Sequence, residues 1–267
     1  MQMTDEEIRV ASAQQLRDER NSAVSVVETT PREIGPAVLE FASMLGGDPP
    51  VIIPVTDDPL GRYGWCNDGV RLKVAAAGGE PVHGWTIWEW TPALLTAEFH
   101  CVWRSPSGDL LDITPKPRRE QSIVFVKDDA YPADFDFDQR PRSRRMNIYG
   151  PAIRAARLEA LMARMTPTQR QYEMTRALKA GLSLDAWLAR KTSPDVVSDA
   201  IDALITACEA HETYFDSLGA SGFVTVDRTL ATLMQKRVAA QTRCKALLKG
   251  VVTPPSTSSR SPSASPI

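Results

Sequence analysis

The sequence predicts an α+β fold, in which a helix packs on an antiparallel sheet, followed by an all-α helical bundle. Residues 1 to about 150 hold five of the six tryptophans and a series of β-like stretches, whereas residues 151–250 show one helical pattern after another. The last residues are mostly Ser, Pro and Thr, a composition that buries too little apolar surface to fold. We therefore predict an α+β domain at 1–148, a helical domain at 149–250 and a disordered tail at 251–267.

Capping and stop signals predict three helices in the first third of the chain. The first runs from Thr4 to about Arg20, the second opens at Thr30-Pro31 or Gly35-Pro36 and stops at Gly46-Gly47, and the third lies within 65–77. The apolar run at 50–55, between the second and the third, is a predicted edge strand. Gly78 follows the third helix as a stop signal, and the first residue of that helix is Cys66. A thiol is therefore expected at a helix N-terminus.

Four β-like segments come next and predict an antiparallel meander, at 81–90, 94–103, 109–113 and 122–127. The turn between the second and the third has Pro in second and Gly in fourth position, which places Ser105 opposite Asp109. In this register His100 and Asp112 share a face of the sheet and lie one diagonal step apart.

The second half predicts a bundle of helices joined by short loops, whose start signals are Pro151, Thr166-Pro167, Ser183, Ser193-Pro194 and Asp227. The basic run at 140–145 precedes the first of them. A run this short is typical of a solvated segment, so we interpret it as a linker between the two halves.

Composition excludes several classes of function. Lys and Arg number 31 against 33 Asp and Glu, so no excess of positive charge predicts binding to nucleic acid. No apolar run approaches the roughly 18 residues of a membrane span, and the N-terminus has no signal-peptide pattern. We expect a cytoplasmic protein that binds no membrane, although secretion without a cleaved signal stays open. Four widely spaced cysteines predict reduced thiols and no structural zinc.

Cys66, His100 and Asp112 are the residues that best fit a catalytic site. The positive end of a helix dipole stabilises a thiolate. An imidazole at hydrogen-bond distance takes the thiol proton, and a carboxylate behind the imidazole fixes its tautomer and stabilises the imidazolium. We expect the backbone N–H groups of Cys66 and Asn67 to stabilise an oxyanion, and we place Trp65 and Glu98 beside the cleft.

The residues GWCNDGV at 64–70 and AEFHCVWRSPSGDLLDITP at 97–115 resemble the transglutaminase-like branch of the papain-like thiol enzymes. Cys66, His100 and Asp112 match the family's nucleophile, base and acid in order. The resemblance covers about a fifth of the chain. It implies a papain-like or transglutaminase-like fold and a thiol hydrolase or acyltransferase that acts on amide bonds without a cofactor. The tryptophan follows the histidine by three residues instead of two, and no upstream Gln or Trp matches the second oxyanion donor.

Two alternatives stay open at this point. In the first, the same fold is catalytically silent and serves as a binding or scaffold module, with the helical domain holding a protein partner. In the second, Cys66, His100, Cys101 and Asp112 form a metal site, which the strand pattern disfavours because Cys101 points to the face opposite His100. The favoured hypothesis is an enzyme that acts on a protein or peptide substrate and binds no metal.

Overall fold

The protein is described by a computed structural model that covers residues 3–21, 28–191, 195–218 and 225–249. It is a mixed helical and antiparallel sheet structure, which confirms the α+β class. The helices are α1 (Asp5–Asn21), α2 (Pro36–Leu45), α3 (Cys66–Ala77), α4 (Tyr149–Arg164), α5 (Pro167–Lys179), α6 (Leu184–Ala189), α7 (Val196–Ser217) and α8 (Arg228–Leu248). The strands are β1 (Val51–Pro54), β2 (Glu80–Trp90), β3 (Leu94–Arg104), β4 (Leu110–Leu111), β5 (Ser122–Lys127) and β6 (Arg144–Asn147). The predicted tail at 251–267 lies outside the described residues.

Local signals account for the helix ends. The capping box of α1 forms, because the Thr4 N–H donates to Glu7 Oε2 (2.7 Å) and the Glu7 N–H donates to Thr4 Oγ1 (3.3 Å). α3 begins at Cys66 and ends where the Gly78 N–H donates to the Val74 carbonyl (2.8 Å). Asp227 caps α8 through the Leu230 N–H (2.7 Å). Among the described residues no helix combines the length and the apolarity that a membrane span requires.

The sheet has the strand order β1-β5-β2-β3-β4, and β6 pairs with β3. The predicted hairpin register is confirmed: the Ser105 N–H donates to the Asp109 carbonyl (2.9 Å), and Trp103 pairs with Leu111. The meander prediction is wrong for β5, which returns to lie between β1 and β2. The reason is that residues 123–126 are apolar and fully buried in succession, so both faces of β5 need cover and the strand belongs inside the sheet.

The basic run at 140–145 is not a solvated linker along its whole length, because its last two residues begin β6. β6 pairs with the first four residues of β3. The Arg145 guanidinium is neutralised by Glu212 of α7 (2.6 Å), and the Arg144 guanidinium lies 5.2 Å from the centre of the Trp85 ring. These two partners are distant in sequence, so the local composition of the run did not predict them.

Helices cover the sheet at three places. α2 packs on one face against a cluster that includes Trp85, Ile87 and Phe99. The first turns of α3 pack beside it against Cys101, Trp103 and Ile113. α7 and α8 share a further apolar cluster with the sheet, which comprises Trp90, Ala93, Leu94, Tyr149, Ala200, Ile201, Leu204 and Cys244. The helical half therefore packs directly on the end of β2 and β3 where the two strands meet.

Candidate active site

A gap along one side of β3 lies beside His100. β6 pairs with residues 94–97 and β4 with residues 103–104, so among the described residues no strand pairs with 98–102 on this side. His100 lies in the middle of this gap. After β4 the chain turns away from β3, and Asp112 forms a bridge to Val55 beyond the end of β1. The gap is thus filled by side chains from neighbouring segments instead of by a strand.

The backbone of Asp112 is fixed by the turn toward β1. Its N–H donates to the Pro54 carbonyl (3.0 Å), and its carbonyl accepts from the Thr56 N–H (2.8 Å). Its side chain is completely buried and reaches back to β3, where His100 Nε2 lies 3.1 Å from Asp112 Oδ2. The predicted pairing of His100 with Asp112 is therefore present in the structure.

Lys116 is a member of this site that the sequence analysis missed. Lys116 Nζ lies 2.6 Å from Asp112 Oδ2, the same oxygen that faces His100, and the Lys116 side chain is only 4% exposed. The other oxygen, Oδ1, accepts from the Thr114 N–H (2.8 Å). A sequence signal was available, since Lys116 lies four residues after Asp112 between two prolines that stiffen the segment.

The neighbouring charges shift the pKa values of His100 and Asp112. Burial alone would lower the pKa of His100, but the charge of the Asp112 carboxylate and a negative charge on Cys66 outweigh burial and raise the pKa to about 9, while Lys116 acts in the opposite direction. Burial alone would raise the pKa of Asp112, but Lys116 and His100 hold it well below its usual range. The carboxylate is therefore ionised at neutral pH, and the imidazole is cationic.

Cys66 occupies the predicted helix start. A negative charge on Cys66 raises the pKa of His100. The thiol is buried, with 8% of the residue exposed, and packs in an apolar cluster with Val70 and Trp103. Within the residues that the structure describes, Cys66 Sγ makes no hydrogen bond to the His100 ring. The structure thus joins His100 and Asp112 by a hydrogen bond, while Cys66 begins the helix that packs beside them on β3.

The three residues predicted to flank the nucleophile lie in different settings. Trp65 is the N-cap of α3 and is half-buried, and no side chain caps this end of the helix. Asn67 is buried, and its Oδ1 lies 3.3 Å from His83 Nε2 on the face opposite His100, so the side chain is directed away from the predicted cleft. Glu98 is exposed on the His100 face, where its Oε2 accepts from Trp88 Nε1 (2.9 Å).

Trp88 connects Glu98 to the buried charges. Lys116 Nζ lies 5.5 Å from the centre of the Trp88 ring, within the range of a cation–π contact. Trp88 therefore contacts both the predicted cleft residue Glu98 and the ammonium of Lys116, which binds Asp112. This chain of contacts lies on the sheet face that carries His100.

His83 lies on the face of β2 opposite His100, and both of its ring nitrogens have close polar neighbours. Its Nδ1 lies 3.0 Å from the Pro132 carbonyl and its Nε2 contacts Asn67, so both ring nitrogens have partners. Burial lowers the pKa of His83. Its ring packs among the aromatic side chains of Phe99, Phe135 and Phe137.

Helix α1 touches both sides of the site, a contact that the sequence analysis did not predict. Arg20 Nη2 donates to the Lys116 carbonyl (3.2 Å). At the other side, a β-carbon placed on Gly64 would lie 2.7 Å from Gln15 Oε1, so Gln15 packs two residues before Cys66. Burial and the nearby carboxylates of Glu19 and Glu98 raise the pKa of Tyr63 to about 12. The buried residues of α1 are Ile8 and Ser12, so the helix is held by a small contact.

Over the ranges that the structure describes, no three His, Cys, Asp or Glu side chains are placed to hold a metal ion together. Cys101 is completely buried and packs with Val70 and Trp103, whereas its neighbour His100 points to the other face.

Comparison with known proteins found no family, curated protein or solved structure that matches the chain. The resemblance to the transglutaminase-like enzymes therefore depends on the residues between Gly64 and Pro115 alone.

Proposed function

We propose that the protein is a cysteine-dependent hydrolase or acyltransferase that acts on an amide bond of a protein or peptide. The observation that carries the proposal is the contact between His100 Nε2 and Asp112 Oδ2 (3.1 Å) beside the helix that begins with Cys66. The proposal includes a papain-like or transglutaminase-like arrangement, in which Cys66 is the nucleophile, His100 the base and Asp112 the residue that orients it.

The assignment of protons follows from the contacts of the imidazole. In the neutral imidazole, Nε2 carries a hydrogen that it donates to the Asp112 carboxylate, and Nδ1 accepts the Cys66 thiol proton. The product is the imidazolium, the form that the raised pKa of His100 favours at neutral pH. The thiolate then attacks the carbonyl carbon of the amide. When the tetrahedral intermediate collapses, the C–N bond breaks and the leaving amine takes the proton from Nδ1.

The acyl group remains on Cys66 as a thioester until a second nucleophile arrives. A water molecule or an amine gives a proton to His100 and attacks the thioester carbon. The C–S bond then breaks, and the Cys66 thiolate that leaves takes the proton back from His100. The oxyanion of both steps would accept from the N–H groups at the start of α3, an end of the helix that no side chain caps. Closer contact of Cys66 with the imidazole is expected when substrate binds, since such hydrogen bonds often tighten only then.

The proposal is tested with p-nitrophenyl acetate as a generic acyl donor. We expect a burst of p-nitrophenolate and an acetyl group on the Cys66 peptide, detected by mass spectrometry. C66A should abolish both signals, whereas C208A, which removes a half-buried thiol elsewhere, should leave them unchanged. Acetylation that is equal in wild type and C66A would refute the proposal.

One observation favours the alternative of a silent binding module. Cys66 packs in an apolar cluster and lacks a hydrogen bond to His100, as expected of a cysteine that serves only as a small apolar residue. If the alternative holds, C66A retains the fold and the binding of a protein partner. If Cys66 is catalytic, C66A retains the fold but loses turnover of the acyl donor.

A further inference from the structure

Lys116 is a buried cation whose only carboxylate within salt-bridge distance, among the described residues, is Asp112. Lysine is almost never buried without a partner, because an ammonium loses its hydration in the interior. The short contact to Asp112 Oδ2 (2.6 Å) offsets this loss. The burial of Lys116 therefore indicates that its ammonium has a specific role beside Asp112.

The geometry ties Lys116 to His100 through one oxygen atom. Asp112 Oδ2 lies 2.6 Å from Lys116 Nζ and 3.1 Å from His100 Nε2, while Oδ1 accepts from the Thr114 N–H. Donors on both oxygens fix the plane of the carboxylate. Within the described ranges, removal of the ammonium would leave His100 as the only side chain that donates to Asp112.

We propose that Lys116 is a positioning residue, which holds the Asp112 carboxylate for His100 and limits how strongly that carboxylate stabilises the imidazolium. The inference deepens the proposed function, because it concerns the same His100–Asp112 pair. The charged groups around His100 are Asp112 and Lys116 from the segment after β4 and Cys66 from α3. Arg20 of α1 reaches Lys116 only through the backbone carbonyl.

The consequence for the reaction concerns the return of the proton. His100 must release its proton to the leaving amine after it has accepted one from Cys66. A carboxylate with no other counterion would retain the imidazolium and slow this release. Lys116 shares the negative charge of Oδ2, and the direction of its effect on the pKa of His100 agrees with this role.

The test follows the titration of His100 by NMR of histidine labelled with ¹³C and ¹⁵N, assigned with H100Q. In K116M, which has a similar length but no charge, we expect the His100 midpoint to rise by about one pH unit. K116R keeps the charge and should leave the midpoint near the wild-type value. K73M is the matched control, since Lys73 also pairs with a carboxylate (Asp58, 2.7 Å) and lies over a tryptophan, but its charge is not among those that shift the pKa of His100.

A His100 midpoint in K116M equal to that of the wild type would overturn the inference, as would an equal rise in K73M. If K116M does not fold, ¹⁵N-lysine spectra of the wild type decide the matter. We expect a slowly exchanging Lys116 ammonium with a cross-peak to the His100 ring, and its absence would overturn the inference. None of these readouts requires Cys66 to react, so failure of the proposed function is recognised separately by the acetylation of Cys66.

Discussion

Gln15 of α1 packs against Gly64, two residues before Cys66, and the same helix reaches the Lys116 carbonyl through Arg20. α1 therefore touches the segment before the nucleophile and the segment that carries Asp112. Its own buried surface is small, because Ile8 is its single buried apolar residue. A helix held in this way is expected to detach more readily than the sheet unfolds.

The first prediction is that loosening α1 exposes Cys66. I8E places a charge in the buried contact, and we expect alkylation of Cys66 by iodoacetamide to accelerate about tenfold, since the lost burial of an isoleucine exceeds about 1.4 kcal/mol. V10E is the control, because Val10 lies on the exposed side of the same helix. Equal alkylation rates in I8E and V10E, measured by peptide mass spectrometry, would show that α1 does not restrict access.

The second prediction concerns stability against pH. The pKa of His100 rises from 6.5 in the unfolded chain to about 9 in the folded one. Its contribution is therefore fully present below about pH 6.5 and is lost as the pH rises through about 9. One unit corresponds to about 1.4 kcal/mol, so the free energy of unfolding should fall by up to about 3 kcal/mol across this window.

Urea unfolding at a series of pH values measures this slope, and H100Q is the reference in which it should disappear. An unchanged slope in H100Q would assign the pH dependence to other groups and contradict the charge arrangement around Asp112.

The third prediction concerns how the helical half is joined to the sheet. Ile201 of α7 is completely buried in the cluster that contains Trp90 and Leu94. I201A should lower the free energy of unfolding by about 2–5 kcal/mol, the usual cost of such a truncation. V196A, at an exposed position of the same helix, should change it little. Because the sheet and the helices share this cluster, the unfolding midpoints measured by near-ultraviolet and by far-ultraviolet circular dichroism should shift together.

A loss of helical signal in I201A at denaturant concentrations that leave the tryptophan signal intact would contradict the shared core. The result would also test the predicted boundary near residue 148, which stays a prediction.

Much of the local structure could be predicted from the sequence. The start of α3 at Cys66 and the register that pairs Ser105 with Asp109 follow from stop signals and from one turn, which act over a few residues. The shared face of His100 and Asp112 follows from that register alone. These features required no knowledge of the remaining chain.

Other features depend on contacts between distant segments. The sequence analysis placed β5 at the end of a meander, whereas β5 lies between β1 and β2. The unbroken apolar run of β5 explains its burial on both faces but does not specify its partner strands. The contact of Lys116 with Asp112 spans only four residues, but the burial of both groups depends on the turn of the chain toward β1 after β4. α1 is a polar helix with Ile8 as its buried apolar residue. One apolar residue is too weak a pattern to predict where the helix packs on the rest of the protein.

The central claim is that His100 activates Cys66, and alkylation by iodoacetamide at about pH 6.5 tests it most directly, since an ordinary thiol with a pKa of about 8.5 is almost unreactive there. The rates at Cys66 are compared between the wild type and H100Q, each also in the I8E background so that α1 does not limit access, with Cys208 as the internal reference. The account predicts that H100Q slows alkylation of Cys66 at least about tenfold and leaves Cys208 unchanged. Equal rates at Cys66 with and without His100 would contradict it.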